Sequence, residues 1–213
     1  RHIAYDIGAA GVVRAMASRL GAPAVLSRYS RLLIDLNRGA DDPTLIMRLS
    51  DGAIVPGNQH IDEHEWNERI RLYYAPYHAA IERVLQSIRQ QGETPVIISL
   101  HSFTDNWKGV PRPWHAGILW DRDHRLPNRL IETLRADPTL VVGDNQPYSG
   151  QLEGDCLNQH ATRNGLSHAL IEVRQDLIGT EAGQRAWAER LSVALQGIWA
   201  EPDAATVLCR LNG

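Results

Sequence analysis

Two side chains stand where an apolar strand has no ordinary use for them, and each could do chemistry. His101 closes Thr94-Pro95-Val96-Ile97-Ile98-Ser99-Leu100-His101, a β-branched run entered through a proline, which reads as a buried strand ending in a loop. A histidine at the carboxyl end of such a strand is a candidate metal ligand or base; a hydrogen-bonded structural histidine fits the same stretch. Glu172 lies inside Ala169-Leu170-Ile171-Glu172-Val173-Arg174. Burying a carboxylate without a partner costs several kcal/mol, so Glu172 must be paired or used. Paired, it joins Arg174 and Asp176 on one strand face at a spacing of two; used, it is a general base of raised pKa beside a metal-bound water. Asn37-Arg38 is either a surface loop pair or a fork that grips a substrate carboxylate. Arg28 and Arg31 are both candidates to face a developing oxyanion. Spacing does not separate them, though Arg31 lies nearer the strand.

The elements that must position these groups alternate. Small and apolar residues recur at helical spacing over 6–20 (Ile7, Ala10, Val13, Ala17, Leu20) and Gly21 follows as a stop. Residues 23–26 and 31–36 read as two short strands, and the Asp, Pro and Gly of 41–59 as an excursion. A long helix is expected over 62–91, kinked or split at Pro76 and ended by Gly92. Beyond the His101 strand come a Trp, Pro and Gly loop, a strand at 116–120, a helix at 127–135, a strand at 139–142, and a functional loop or lid over 144–164. The Glu172 strand, a helix at 181–199 and a loosely held tail complete an α/β rhythm. His60-Ile61-Asp62-Glu63-His64 has a metalloprotease-like spacing, but Asp62 as an N-cap, with Glu65 three residues on, leaves His60 outside the helix.

The totals exclude several classes of function. The 213 residues are 43% hydrophobic and 22% charged, enough for one α/β domain, and hold no apolar run that would cross a bilayer. A net charge of -3 without any Lys/Arg block argues against nucleic acid or an anionic membrane as partner and in favour of a small molecule. Cys156 and Cys209, in no CxxC pattern, indicate neither a disulfide framework nor a thiolate zinc site, and point to a reducing cytoplasm.

Four stretches in this order carry a resemblance: Ser27-Arg28-Tyr29-Ser30-Arg31-Leu32-Leu33-Ile34-Asp35-Leu36-Asn37-Arg38; Leu100-His101-Ser102-Phe103-Thr104; Gly143-Asp144-Asn145-Gln146-Pro147-Tyr148; and Ile171-Glu172-Val173-Arg174-Gln175-Asp176. From His2 to about Trp199 the chain resembles the N-formylglutamate amidohydrolase family, which is similar in fold to the zinc carboxypeptidases. The resemblance implies a single α/β domain with a mixed, mostly parallel sheet flanked by helices. It also implies a cytoplasmic, metal-dependent hydrolase of histidine degradation that cleaves N-formyl-L-glutamate, or a related N-acyl amino acid, to formate and L-glutamate. One zinc ion would be held by His101 and Asp6. Glu172 would be the catalytic base and Arg31 would face the oxyanion, with Asn37, Arg38, Arg28, His160 and Arg174 around the substrate. A short His-Ala-Ser or His-Ser-Gly motif that supplies another histidine ligand in the family is absent here, so the expectation for 1–213 is a domain that lacks its N-terminal segment. Two other readings remain: a zinc peptidase or cell-wall amidase of carboxypeptidase type, and a non-catalytic carboxylate binder with an incomplete metal site.

Overall fold

A computed structural model describes residues 4–210; His2, where the family likeness starts, lies outside them. In chain order the elements are α1 (Ala9–Leu20), a hairpin of β1 (Leu49–Ser50) and β2 (Ala53–Ile54), α2 (Glu63–Arg69), α3 (Ala75–Gln90), β3 (Ile97–Phe103), a hairpin of β4 (Asn106–Trp107) and β5 (Val110–Pro111), and β6 (Ala116–Leu119). There follow α4 (Arg125–Arg135), β7 (Val142–Asp144), α5 (Cys156–His160), β8 (His168–Arg174), α6 (Gln175–Ile178), α7 (Glu181–Trp199) and α8 (Ala204–Leu208).

The central sheet has the order β3-β8-β6-β7. β3 runs parallel to β8 and β6 parallel to β7, while β6 and β8 are antiparallel, so the sheet is mixed and mostly parallel. Alternation along β8 sends Ala169, Ile171 and Val173 into a core built with α1, α4 and α7, whose Val12, Leu130 and Leu191 are fully buried. Leu170 faces the other way, against Leu85 of α3 and Leu157 of α5. Glu172 shares the parity of Leu170, as His101 shares that of Ile97 on β3. Two helical layers therefore cover the sheet, and the polar pair lies on the α3/α5 side. Among the described residues no helix is long and apolar enough to cross a membrane.

Several expectations shift. The α1 stripe that is buried is Ala9, Val12 and Met16 rather than Ala10, Val13 and Ala17, and the helix starts three residues later than expected, after Gly8. β3 continues through His101 to Phe103, so the histidine is mid-strand and not at the entry to a loop. The strands expected at 23–26 and 31–36 do not form. Residues 30–47 are turns whose carbonyls are satisfied by local backbone N–H groups and by side chains instead of a ladder. Asn58 Nδ2 donates to Leu32 O and Met47 O (2.7 and 2.8 Å), and the buried Arg69 donates to Leu33 O, Gly57 O and Asn58 Oδ1. These turns enclose a small core of Ile34, Leu36, Leu45, Ile46 and Tyr74. The long helix is split by a π-helical turn, Ile70–Tyr74, just before Pro76. Asp62 caps α2 by accepting from Glu65 N at 2.8 Å, and His60 and His64 are exposed. The tail is not loose: Ala204 and Leu208 of α8 are fully buried.

Two glycines predict opposite outcomes for the same substitution. A Cβ on Gly117, opposite Glu172 on β6, would lie 1.9 Å from Gln146 O, whereas a Cβ on Gly197, near the end of α7, would meet nothing within 4 Å. In denaturant titrations Gly117→Ala should lower stability by about 1–3 kcal/mol. Gly197→Ala should leave stability unchanged or raise it by up to about 1 kcal/mol. Equal effects would contradict this packing.

Candidate active site

Parallel register places His101 directly beside Glu172 on adjacent strands, and β8 pairs Glu172 with Gly117 on its other side. Above this row comes Asp6, from the turn ahead of α1. That turn is fixed by Gly8, whose φ of 78° and close approach to Ile178 O exclude a side chain. It is also tied to the next motif, since Arg31 N and the Ser30 hydroxyl both donate to Ala4 O. Asp6 is not the N-cap of α1. Its Oδ2 lies 2.7 Å from His101 Nδ1.

Arg31 joins the cluster through charge. Its guanidinium donates to Asp35 Oδ2 from Nη2 and Nε (2.6 and 3.1 Å), and its charge also reaches Asp6 and Glu172. Burial would raise the Asp6 carboxyl, but His101 and Arg31 hold it below its ordinary value. Burial likewise opposes a charged His101, yet the Asp6 hydrogen bond and charge push the imidazole up to about 9. Glu172 responds oppositely. Burial lifts it to about 7, reinforced by Asp6 and restrained by His101, Arg31 and Arg112. Its Oε2 is buried without a hydrogen-bond partner. The ion pair with Arg174 does not form: Arg174 binds Asp176 at 2.8 Å and the carbonyls of Arg112, Pro113 and Trp114, away from the cluster.

Asn37 and Arg38 are set by the other oxygen of Asp35, which accepts from Asn37 N at 3.0 Å; Arg38 N donates to Asp35 O. Asn37 Oδ1 accepts from Cys156 N at 3.1 Å, and Tyr74 OH donates to Arg38 O. Between this fork and the His101 cluster lies Asp155, the N-cap of α5. It is 4% exposed, and its carboxyl is raised by burial while feeling both His101 and Arg38. Arg28 is exposed, and among the described residues Arg31 is the arginine of that pair whose charge acts on Glu172.

His160, expected around the substrate, is buried and held by two neighbours. It is 5% exposed, with Nδ1 at 2.6 Å from Glu82 Oε1 and Nε2 at 2.7 Å from His78 Nδ1. Among the described residues, His78, Cys156 and His160 are the one group of three potential metal donors, with ligand atoms within 4.8 Å of one another.

Sequence reasoning missed Asp35, Asp155 and Arg112. A carboxylate inside Leu33-Ile34-Asp35-Leu36 was the available signal for the first, and Gly154-Asp155 ahead of a helix for the second. Arg112, from the Trp, Pro and Gly loop, lies over the rings of Phe103, Trp107 and Tyr148, and donates to Tyr148 OH at 2.8 Å. It lines a surface recess with Trp107, Trp114 and Pro147 and carries positive charge towards Glu172.

A family model described as N-formylglutamate amidohydrolase matches residues 1–179. A curated N-formylglutamate deformylase of Pseudomonas putida is 27% identical over 164 residues, 68% of this chain and 57% of that protein, so the chain spans little more than half the length of that relative. A solved gene product of Agrobacterium tumefaciens is 33% identical with a TM-score of 0.86, over 93% of this chain and 80% of its own. A solved N-formylglutamate amidohydrolase of Ralstonia eutropha JMP134 is 23% identical with a TM-score of 0.63, over 92% and 81%, a likeness of fold.

The buried carboxyl predicts a pH dependence. With a folded pKa of about 7 against an ordinary 4.5, the stability tied to Glu172 is fully present below 4.5 and lost as pH rises through about 7. In metal-free protein, Glu172→Gln should therefore gain about 1–3 kcal/mol relative to the unsubstituted chain between about pH 4 and about pH 8, read from denaturant titrations. A difference that stays flat across this window would show a solvated carboxyl.

Proposed function

The chain belongs to the N-formylglutamate amidohydrolase family, and on that premise we propose that it is a cytoplasmic zinc hydrolase, working as one domain, that cleaves N-formyl-L-glutamate, or a close N-acyl amino acid, to formate and L-glutamate. The observation that carries this reading is the buried, unpartnered Glu172 Oε2 beside the Asp6 and His101 pair. Asp6 Oδ2 and His101 Nδ1 converge from two elements, a hard oxygen and a borderline nitrogen, and that donor pair fits zinc. These two would hold the ion. When bound, zinc supplies Lewis acidity towards the amide carbonyl and acidifies a water.

The remaining work falls to the chain. Glu172, poised near neutral pH, takes the proton of the attacking water on Oε2 and returns it to the amine as the C–N bond breaks. Arg31, held rigid by Asp35, places positive charge where the carbonyl oxygen becomes an oxyanion. Arg38 and Asn37, fixed through Asp35 and Cys156 N, grip a substrate carboxylate.

Formate release from N-formyl-L-glutamate by the zinc-loaded protein tests this directly, beside a panel of N-acyl amino acids and short peptides. Glu172→Gln should lower kcat by on the order of 10²–10⁴-fold, and Arg38→Ala should act mainly on KM. Full turnover in Glu172→Gln would remove that residue from the mechanism. Hydrolysis of peptides alone would select the carboxypeptidase-type alternative, and carboxylate binding without turnover would make the chain a binder.

A further inference from the structure

Apart from the His101 cluster, a second set of donors converges between α3 and α5. His78 and Glu82 lie four residues apart on α3, and Cys156 and His160 four apart on α5, so each pair shares a face and the two faces meet. The imidazoles are nearly parallel, at 22° with centroids 5.0 Å apart, and His78 Nδ1 approaches His160 Nε2 to 2.7 Å. Both histidines are more than nine-tenths buried. Tyr74 and Tyr77 wall the group, with ring centroids 4.1 and 5.4 Å from that of His78.

Proton bookkeeping makes this approach informative. His160 Nδ1 faces the Glu82 carboxylate, which demands a hydrogen on that nitrogen and leaves Nε2 as a lone pair in the neutral ring. His78 Nε2 is buried with no hydrogen-bond partner among the described residues. In the neutral ring a hydrogen on either nitrogen of His78 leaves the other as a lone pair. A metal ion between the facing nitrogens, beside the thiol, would take the lone pair of His160 Nε2 and, with the His78 hydrogen moved to Nε2, that of His78 Nδ1. An outer carboxylate on the far nitrogen, as Glu82 is for His160, is a usual surrounding of metal-bound imidazoles.

We propose that His78, Cys156 and His160 form a second metal site, separate from Asp6 and His101, that takes zinc. Two imidazoles and a thiolate select a borderline to soft ion over calcium or magnesium. Tetrahedral bonds of about 2.0–2.1 Å to nitrogen put two nitrogens roughly 3.3 Å apart, so the rings must separate by about 0.6 Å, a small side-chain rotation. On binding, the Cys156 thiol gives up its proton to solvent and the sulfur becomes the third ligand. The ion clamps α5 to α3. Because Cys156 N donates to Asn37 Oδ1, the clamp also braces the Asn37-Arg38 turn.

Cobalt(II) reads this site alone, because the His101 site has no sulfur. The full chain loaded with cobalt should show a thiolate-to-cobalt charge-transfer band in the near ultraviolet. That band should vanish in Cys156→Ser and fade in His160→Ala, and should survive in Cys209→Ser and His101→Ala. Elemental analysis should find one metal ion fewer per chain in Cys156→Ser than in the unsubstituted protein, and zinc should raise the Tm of His101→Ala but not of the double variant that also carries Cys156→Ser. Cobalt bound to the unsubstituted protein without a thiolate band would overturn the proposal even if every variant misfolded. So would a persistent band in Cys156→Ser, or a shared imidazole proton seen by NMR in zinc-saturated protein. None of these readouts uses hydrolysis, so they stand or fall apart from the proposed activity.

Discussion

The parallel pairing of β3 with β8 is the constraint on which the site depends, because register alone makes His101 the neighbour of Glu172. A slip by one residue would turn the histidine into the α1/α7 core and leave the carboxylate among aliphatic side chains. The register is enforced from both faces. Ile98 and Leu100 pack with Ala169, Ile171 and Val173 on one side, and Ile97 with Leu170 on the other. Aliphatic packing worth many kcal/mol therefore keeps a polar pair that contributes little or nothing to folding by itself.

Charge on the polar face is organised as an alternation of signs. Asp35, 3% exposed, uses one oxygen to hold Arg31 and the other to hold the backbone of Asn37. Arg31 then faces Asp6 and Glu172, and Asp155 lies between His101 and Arg38. Each buried carboxylate has a cation near it, while among the described residues Glu172 Oε2 is the one fully buried carboxylate oxygen without a hydrogen bond. That asymmetry separates the carboxyl groups into fixed partners and one group able to exchange a proton.

The sheet and the helices were largely legible, because burial on both faces writes apolar runs at 97–100 and 169–173, broken only by Ser99 and Glu172, and the amphipathic α7 falls at Glu181–Trp199 as expected. The segment 23–47 was not. Its apolar residues suggested strands, but its hydrogen bonds come from Asn58 and Arg69, distant in sequence, and no local pattern announces such donors. The same limit applied to the site. His101, Glu172, Asp6 and Arg31 stood out by residue type or by resemblance, and they come together here. Asp35 and Asp155 act through backbone contacts, and the contacts of His160 were not legible because its partners, His78 and Glu82, sit on a helix read only for its apolar stripe.

That helix carries one more consequence. A π-helical turn takes up one residue more than an α-turn, so Ile70–Tyr74 puts α3 out of phase with α2 by the angle of a single residue. The offset lets Arg69 reach back to the turns at 30–47 while His78 looks across to α5. The number of residues in this stretch is therefore as binding as the side chains it carries. A homologue one residue shorter there would gain an unbroken rod and lose the alignment of its two ends with their different partners.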